Sequence, residues 1–178
     1  MKLHEPIELK TWSLIKDEAM ALLNDQCWDY RSERLFRMPM SGFTFDEVNK
    51  ELSEKGMPRI GMWTIFARGA GRAQSIHCDA FSLTERVDSG LVVPVLGVIG
   101  SKMQWFSEDG LTMHTISNPD GKSTLFRCVA SKPPTVIEEI EVTTPILARL
   151  CVPHRAVASA FTPRAVVSIK LQGNPKLL

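Results

Sequence analysis

From Pro58 onward the chain is a succession of short, strand-like runs, and this limits its fold more than any other feature. "MWTIFA", "QSIHCD", "LVVPVLGVI", "KMQWFS", "LTMHTIS", "STLFRCV", "TVIEEIEV", "ILARLCV" and "AVVSIKLQ" are rich in β-branched and aromatic residues. The turn signals "RGAG", "SEDG", "NPDG", "SKPP" and "FTPR" separate them. Short strands in series, with little helix between them, specify a sandwich or a closed barrel. Pro94 falls inside one of these runs. Proline has no N–H for a ladder, so an edge or a bulge is expected there.

The first third has a different texture. "TWSLIKDEAMALLND" spaces Trp12, Ile15, Met20, Leu22 and Leu23 near a helical period, with Thr11 as its N-cap. "TFDEVNKELSEKG" predicts a second amphipathic helix. Thr44 with Glu47 forms its capping box and Gly56 stops it. "RMPMSG" between the helices is read as a loop. The expectation is one domain over 1–178: a mostly helical part over 1–57 packed on a β-barrel core over 58–178.

Composition gives several classes of function no support. The net charge is +1, so no global field draws the chain to nucleic acid or an anionic membrane. The longest apolar run, "GLVVPVLGVIG", is too short to span a bilayer. The N-terminus lacks the apolar core of a signal peptide. Four cysteines, Cys27, Cys78, Cys128 and Cys151, form no C-x-x-C pair. A cytoplasmic protein with reduced thiols is expected.

The densest chemistry lies in "SIHCDA". Residues two apart on a strand share a face, so His77 and Asp79 point one way and Cys78 the other. One imidazole and one carboxylate on a common face are two thirds of a mononuclear non-heme iron site, which takes two histidines and one carboxylate. His4, His114 and His154 remain as the third ligand. His154 is favoured because Arg164 lies ten residues beyond it, and Ser168 four beyond that. Arg164 and Ser168 share strand parity and can both face a barrel interior. A buried arginine needs an anionic partner, and its planar fork suits a carboxylate.

His-x-Asp, a long gap, then His with Arg ten residues on resembles the Fe(II)- and 2-oxoglutarate-dependent dioxygenase superfamily. The flanking segments are similar too. "SIHCDA" matches the superfamily's second barrel strand, "LVVPVLGVIGSKMQWF" the following pair, and "TPILARLCVPHRAVASAFTPRAVVSIKL" the seventh and eighth. The resemblance covers roughly Pro58 to Leu171 and implies a double-stranded β-helix there, a jelly-roll or cupin-like barrel; the N-terminal helices, expected to pack on it, are read from their periodicity and carry no motif of the superfamily. It implies that His77, Asp79 and His154 bind Fe(II), while Arg164 and Ser168 hold the distal carboxylate of 2-oxoglutarate. O2 would be the co-oxidant, and a C–H bond of a peptidyl or free amino acid or a small molecule would be hydroxylated. Two departures stand out. Many members carry a serine two residues after the arginine, where this chain has Val166, and the only tyrosine is Tyr30, outside the barrel region.

Other residues have blander readings. Cys78 is expected to be a small buried hydrophobe, His114 an ordinary strand residue, and "EEIE" over 138–141 a solvated face. Trp63 and Trp105 are more often core than substrate platform, and Arg68 and Arg72 flank an exposed turn. Arg68 and Trp105 are kept as candidate substrate contacts. Two rival classes predict different behaviour. A non-catalytic cupin-type binding module needs neither the metal nor Arg164. A metal-dependent barrel enzyme without 2-oxoglutarate needs the metal alone.

Overall fold

The computed structural model of the chain describes residues 2–26, 28, 34–36, 40–81, 85–117 and 124–173. In chain order the elements are β1 (His4–Pro6), α1 (Trp12–Asp25), β2 (Arg34–Phe36), α2 (Gly42–Glu54), β3 (Ile60–Arg68), β4 (His77–Ala80) and β5 (Ser89–Leu96). Next come β6 (Lys102–Phe106), β7 (Leu111–Ser117), β8 (Thr124–Ala130), β9 (Val136–Glu141), β10 (Ile146–Arg149), β11 (His154–Val157) and β12 (Arg164–Leu171). The fold is mainly β, a jelly roll of two antiparallel sheets with two helices. One sheet runs β1-β10-β5-β12-β3-β2 and the other β7-β8-β4-β11-β6-β9.

Alternation along the strands makes two cores. The helix-facing side of the first sheet presents Trp63, Ile65 and Ala67 of β3, Leu91 and Val93 of β5, and Val167 and Ile169 of β12. Against it pack Ile15, Ala19 and Leu23 of α1 with Val48 and Leu52 of α2. The opposite parity turns into the barrel, where Val92, Val166, Ile146 and Ala148 meet Met103, Trp105 and Leu150. A third cluster, Ile76, Cys78, Phe106 and Cys128, lies on the outer face of the second sheet.

The helix starts differ from expectation. Thr11 is the N-cap residue of α1 but makes no side-chain cap, because its hydroxyl donates to Oε2 of Glu51 (2.7 Å). The N-cap of α2 is Ser41, whose Oγ accepts from the Thr44 N–H, so Thr44 belongs to the first turn. Gly56 does stop α2. It adopts φ +68° while its N–H reaches the Ser53 carbonyl and Met57 N–H the Leu52 carbonyl, a Schellman closure. Pro94 sits in an interior strand, and the ladder to β12 slips between Ala165 and Val166 opposite it. It is therefore a bulge and not an edge. The "NPDG" turn, Cys27 and Tyr30 lie outside the described residues. Among the described residues no helix is long and apolar enough to cross a membrane.

Candidate metal centre

β4 and β11 are neighbours in the second sheet, and His154 stands directly opposite His77. The two imidazoles face each other with ring centroids 4.5 Å apart. Asp79, two residues along β4, turns to the same face. Its backbone is fixed on both sides, its N–H donating to the Leu150 carbonyl (3.0 Å) and its carbonyl accepting from Val87 (3.0 Å). His77, Asp79 and His154 are all buried, and their ligand atoms lie within 4.8 Å of one another. His77 Nε2 is 4.0 Å from Asp79 Oδ1, and His154 Nε2 is 3.9 Å from Asp79 Oδ2. Among the described residues this is the one such cluster.

The hydrogen bonds assign the histidine tautomers. His77 Nδ1 is 2.9 Å from the Ser75 carbonyl, and His154 Nδ1 is 2.8 Å from the Val152 carbonyl. A carbonyl can only accept, so each Nδ1 carries the proton and each Nε2 keeps its lone pair. Burial is the main cause that pushes His77 down, to about 4, with His154 adding to the shift and Asp79 opposing it. Burial likewise lowers His154. Both imidazoles are neutral at neutral pH, the form that binds metal. Burial alone would raise Asp79. The Lys170 ammonium, helped by the two histidines, outweighs it and holds the carboxyl below the usual range. Two lone-pair imidazoles and one carboxylate fit a divalent ion of the facial-triad kind.

The triad opens onto a pocket whose atom-free space, open solvent included, is about 370 Å3. Phe66, Val92, Met103, Leu150 and Val166 form apolar walls, while Gln74, Arg164 and Ser168 are polar members. Arg164 and Ser168 project from β12 into the barrel, as their parity predicts, and both are buried. Arg164 has no hydrogen-bond or ion-pair partner among the described residues. Burial and then the charge of Arg68 push its guanidinium down to about 10.

Four sequence candidates take other places. Arg68 is not at an exposed turn: it ends β3, is buried and stands in register with Arg164. Trp105 is a core residue. It is wholly buried, stacks on His4 and donates its indole N–H to the Arg149 carbonyl (2.9 Å). His4 pairs instead with Glu138, its Nδ1 2.9 Å from Oε1, and His114 is exposed on β7. Cys78 points away from the triad into the outer cluster. Sequence reasoning missed Lys170, which shares the inward parity of Arg164 and Ser168. Its Nζ lies 3.3 Å from Asp79 Oδ1. The available signal was a lysine at the same parity as Arg164 and Ser168 on a strand read as buried.

No protein-family model matches the chain, and no curated protein matches it in sequence. Solved structures do share its fold. HygX from Streptomyces hygroscopicus, with nickel and 2-oxoglutarate bound, is 9% identical at a TM-score of 0.51, over 98% of this chain and 83% of that one. A prolyl-4-hydroxylase from Pseudomonas putida is 11% identical at a TM-score of 0.51, over 96% of this chain and 92% of the other. Vicilin from Corylus avellana (hazelnut) matches at a TM-score of 0.38 and 12% identity over 79% of this chain, which spans 31% of vicilin's length. At such identities HygX and the prolyl hydroxylase share an architecture with this chain, and that architecture is the jelly roll.

Proposed function

We propose that the chain is an Fe(II)- and 2-oxoglutarate-dependent oxygenase that hydroxylates a C–H bond of a peptidyl or free amino acid or of a small molecule. What supports this is a single cavity lined by a buried His77–Asp79–His154 cluster and by a buried Arg164 with no protein partner among the described residues. A buried unpaired guanidinium is costly, and an anionic ligand removes the cost. HygX, which binds nickel and 2-oxoglutarate, and the prolyl-4-hydroxylase support the same reading at the level of fold.

His77 and His154 would each hold the ion through Nε2, with Nδ1–H anchored on a carbonyl, and Asp79 would supply the anionic ligand. Arg164 would take the distal carboxylate of the oxoacid through two parallel hydrogen bonds, and the Ser168 hydroxyl would add a third. The ion, the oxoacid and O2 supply the chemistry: 2-oxoglutarate goes to succinate and carbon dioxide, and one oxygen atom enters the substrate C–H bond. Phe66, Val92, Met103 and Val166 give the cavity apolar walls, which would strengthen each charged contact made against them.

The test is an anaerobic titration with Fe(II) and then 2-oxoglutarate, followed through the visible metal-to-oxoacid charge-transfer band. Wild type is expected to develop the band, and His77→Ala and His154→Ala to lose it. Iron binding without a band would leave a metal enzyme that does not use the oxoacid. No iron binding at all would leave a binding barrel.

A further inference from the structure

Asp79 offers the site two oxygens, and neither is favoured by the histidines: Oδ1 faces His77 at 4.0 Å and Oδ2 faces His154 at 3.9 Å. Lys170 breaks this symmetry. It lies on β12 with its side chain buried, and its Nζ is 3.3 Å from Oδ1. The same Nζ donates to the Ala80 carbonyl (3.1 Å), which fixes the ammonium from a second side. On β5 the residue in register with Lys170 is Gly90, which puts no side chain directly opposite the lysine. The ammonium has only donors to offer and, while charged, cannot itself bind a metal.

We propose that Lys170 is the positioning residue of the metal centre: it holds Oδ1 of Asp79, leaving Oδ2 to the ion, so that Asp79 binds through one oxygen. The proposal rests on the metal reading above. Its consequence is a matter of coordination number. Two imidazoles and a one-oxygen carboxylate leave three positions of an octahedral ion open. The oxoacid takes two and one remains for a diatomic gas. A carboxylate bound through both oxygens would leave two, and the oxoacid would fill them. Lys170 thus keeps the last position available without touching substrate or ion.

Nitric oxide reads that last position directly. Fe(II) and 2-oxoglutarate are added anaerobically to wild type, Lys170→Met and Lys170→Arg, and nitric oxide is titrated in by electron paramagnetic resonance. Wild type is expected to give the high-spin iron–nitrosyl signal. Lys170→Met should keep the charge-transfer band but bind nitric oxide at least about tenfold more weakly, and Lys170→Arg should restore most of the loss. A Lys170→Met protein with the band and unchanged nitric oxide affinity overturns the proposal. Should that variant fail to fold, a crystal structure of Ni(II)-loaded wild type decides. Oδ2 alone on the metal, with Oδ1 still beside Lys170, is the expected result, and Oδ1 or both oxygens on the metal overturns it. Wild type that binds no iron overturns the metal reading and this proposal together. Iron binding with the wrong carboxylate mode overturns this proposal alone.

Discussion

A guanidinium buried next to a second arginine is a costly thing for a barrel to keep. Arg164 meets Arg68 across the β3–β12 ladder and has no carboxylate among the described residues. Stability and ligand affinity should therefore move in opposite directions when it is replaced. Arg164→Leu is expected to raise the stability of metal-free protein by about 1–4 kcal/mol in urea unfolding, since a hydrophobe of similar volume avoids the desolvation cost. The same change should weaken 2-oxoglutarate binding by about 2–5 kcal/mol in a direct titration on Ni(II)-loaded protein. A variant that loses stability and keeps its oxoacid affinity would make Arg164 a structural residue. Residue-scale facts of this kind are legible from strand parity alone: His77 with Asp79, and Arg164 with Ser168. Two are not. Arg68 sits beside "GAG", and only the register across to Arg164 buries it. Lys170 has meaning only through Asp79, 91 positions earlier, and local pattern carries no signal for that pairing.

At the scale of elements, the helices are tied together by one carboxylate. Glu51 of α2 accepts from Lys10 N (2.7 Å), Thr11 N (2.9 Å) and Thr11 Oγ1 (2.7 Å) at the start of α1. It thereby anchors the chain just before α1, since Lys10 and Thr11 precede the first helical residue, Trp12. Burial pushes the Glu51 pKa up, but these hydrogen bonds and the nearby Lys55 outweigh it and leave the group below its ordinary 4.5. A lowered folded-state pKa means stability that is present in full above the unfolded value and is lost as pH falls through the folded one. Glu51→Gln is therefore expected to cost about 1–3 kcal/mol at neutral pH. The gap between the two proteins should close on acidification below about pH 4.5. A gap in melting temperature that does not change with pH would refute the ionic part of the link. The existence of both helices can be read from their periodicity, but this long-range link cannot, and the capping pattern puts the start of α2 at Thr44 where the structure has Ser41. β1 and β11 escape for another reason. They are three and four residues long, too short for alternation to register, and what defines them is the partner strand.

On the scale of the whole molecule, the two sheets divide the work. The candidate metal ligands stand on β4 and β11 of one sheet, while Arg164, Ser168 and Lys170 stand on β12 of the other. An oxoacid chelated at one end and gripped at the other would link the sheets across the barrel, and neither end suffices alone. Binding should therefore be ordered. Ni(II) alone is expected to raise the melting temperature. 2-Oxoglutarate should add a second rise only after the metal is in place, worth about 2.7 kcal/mol at 100 times its Kd. In metal-free protein the oxoacid meets Arg164 but has no ion to chelate, so its effect should be small. In Arg164→Leu the metal step should survive and the oxoacid step should shrink, because one end of the bridge is gone. Thermal melts of the two proteins, with each ligand alone and with both, measure all of these steps. An oxoacid rise of equal size with and without metal would mean that the ligand does not bridge the two sheets, and its carboxylate would then be held by the β12 side of the barrel alone.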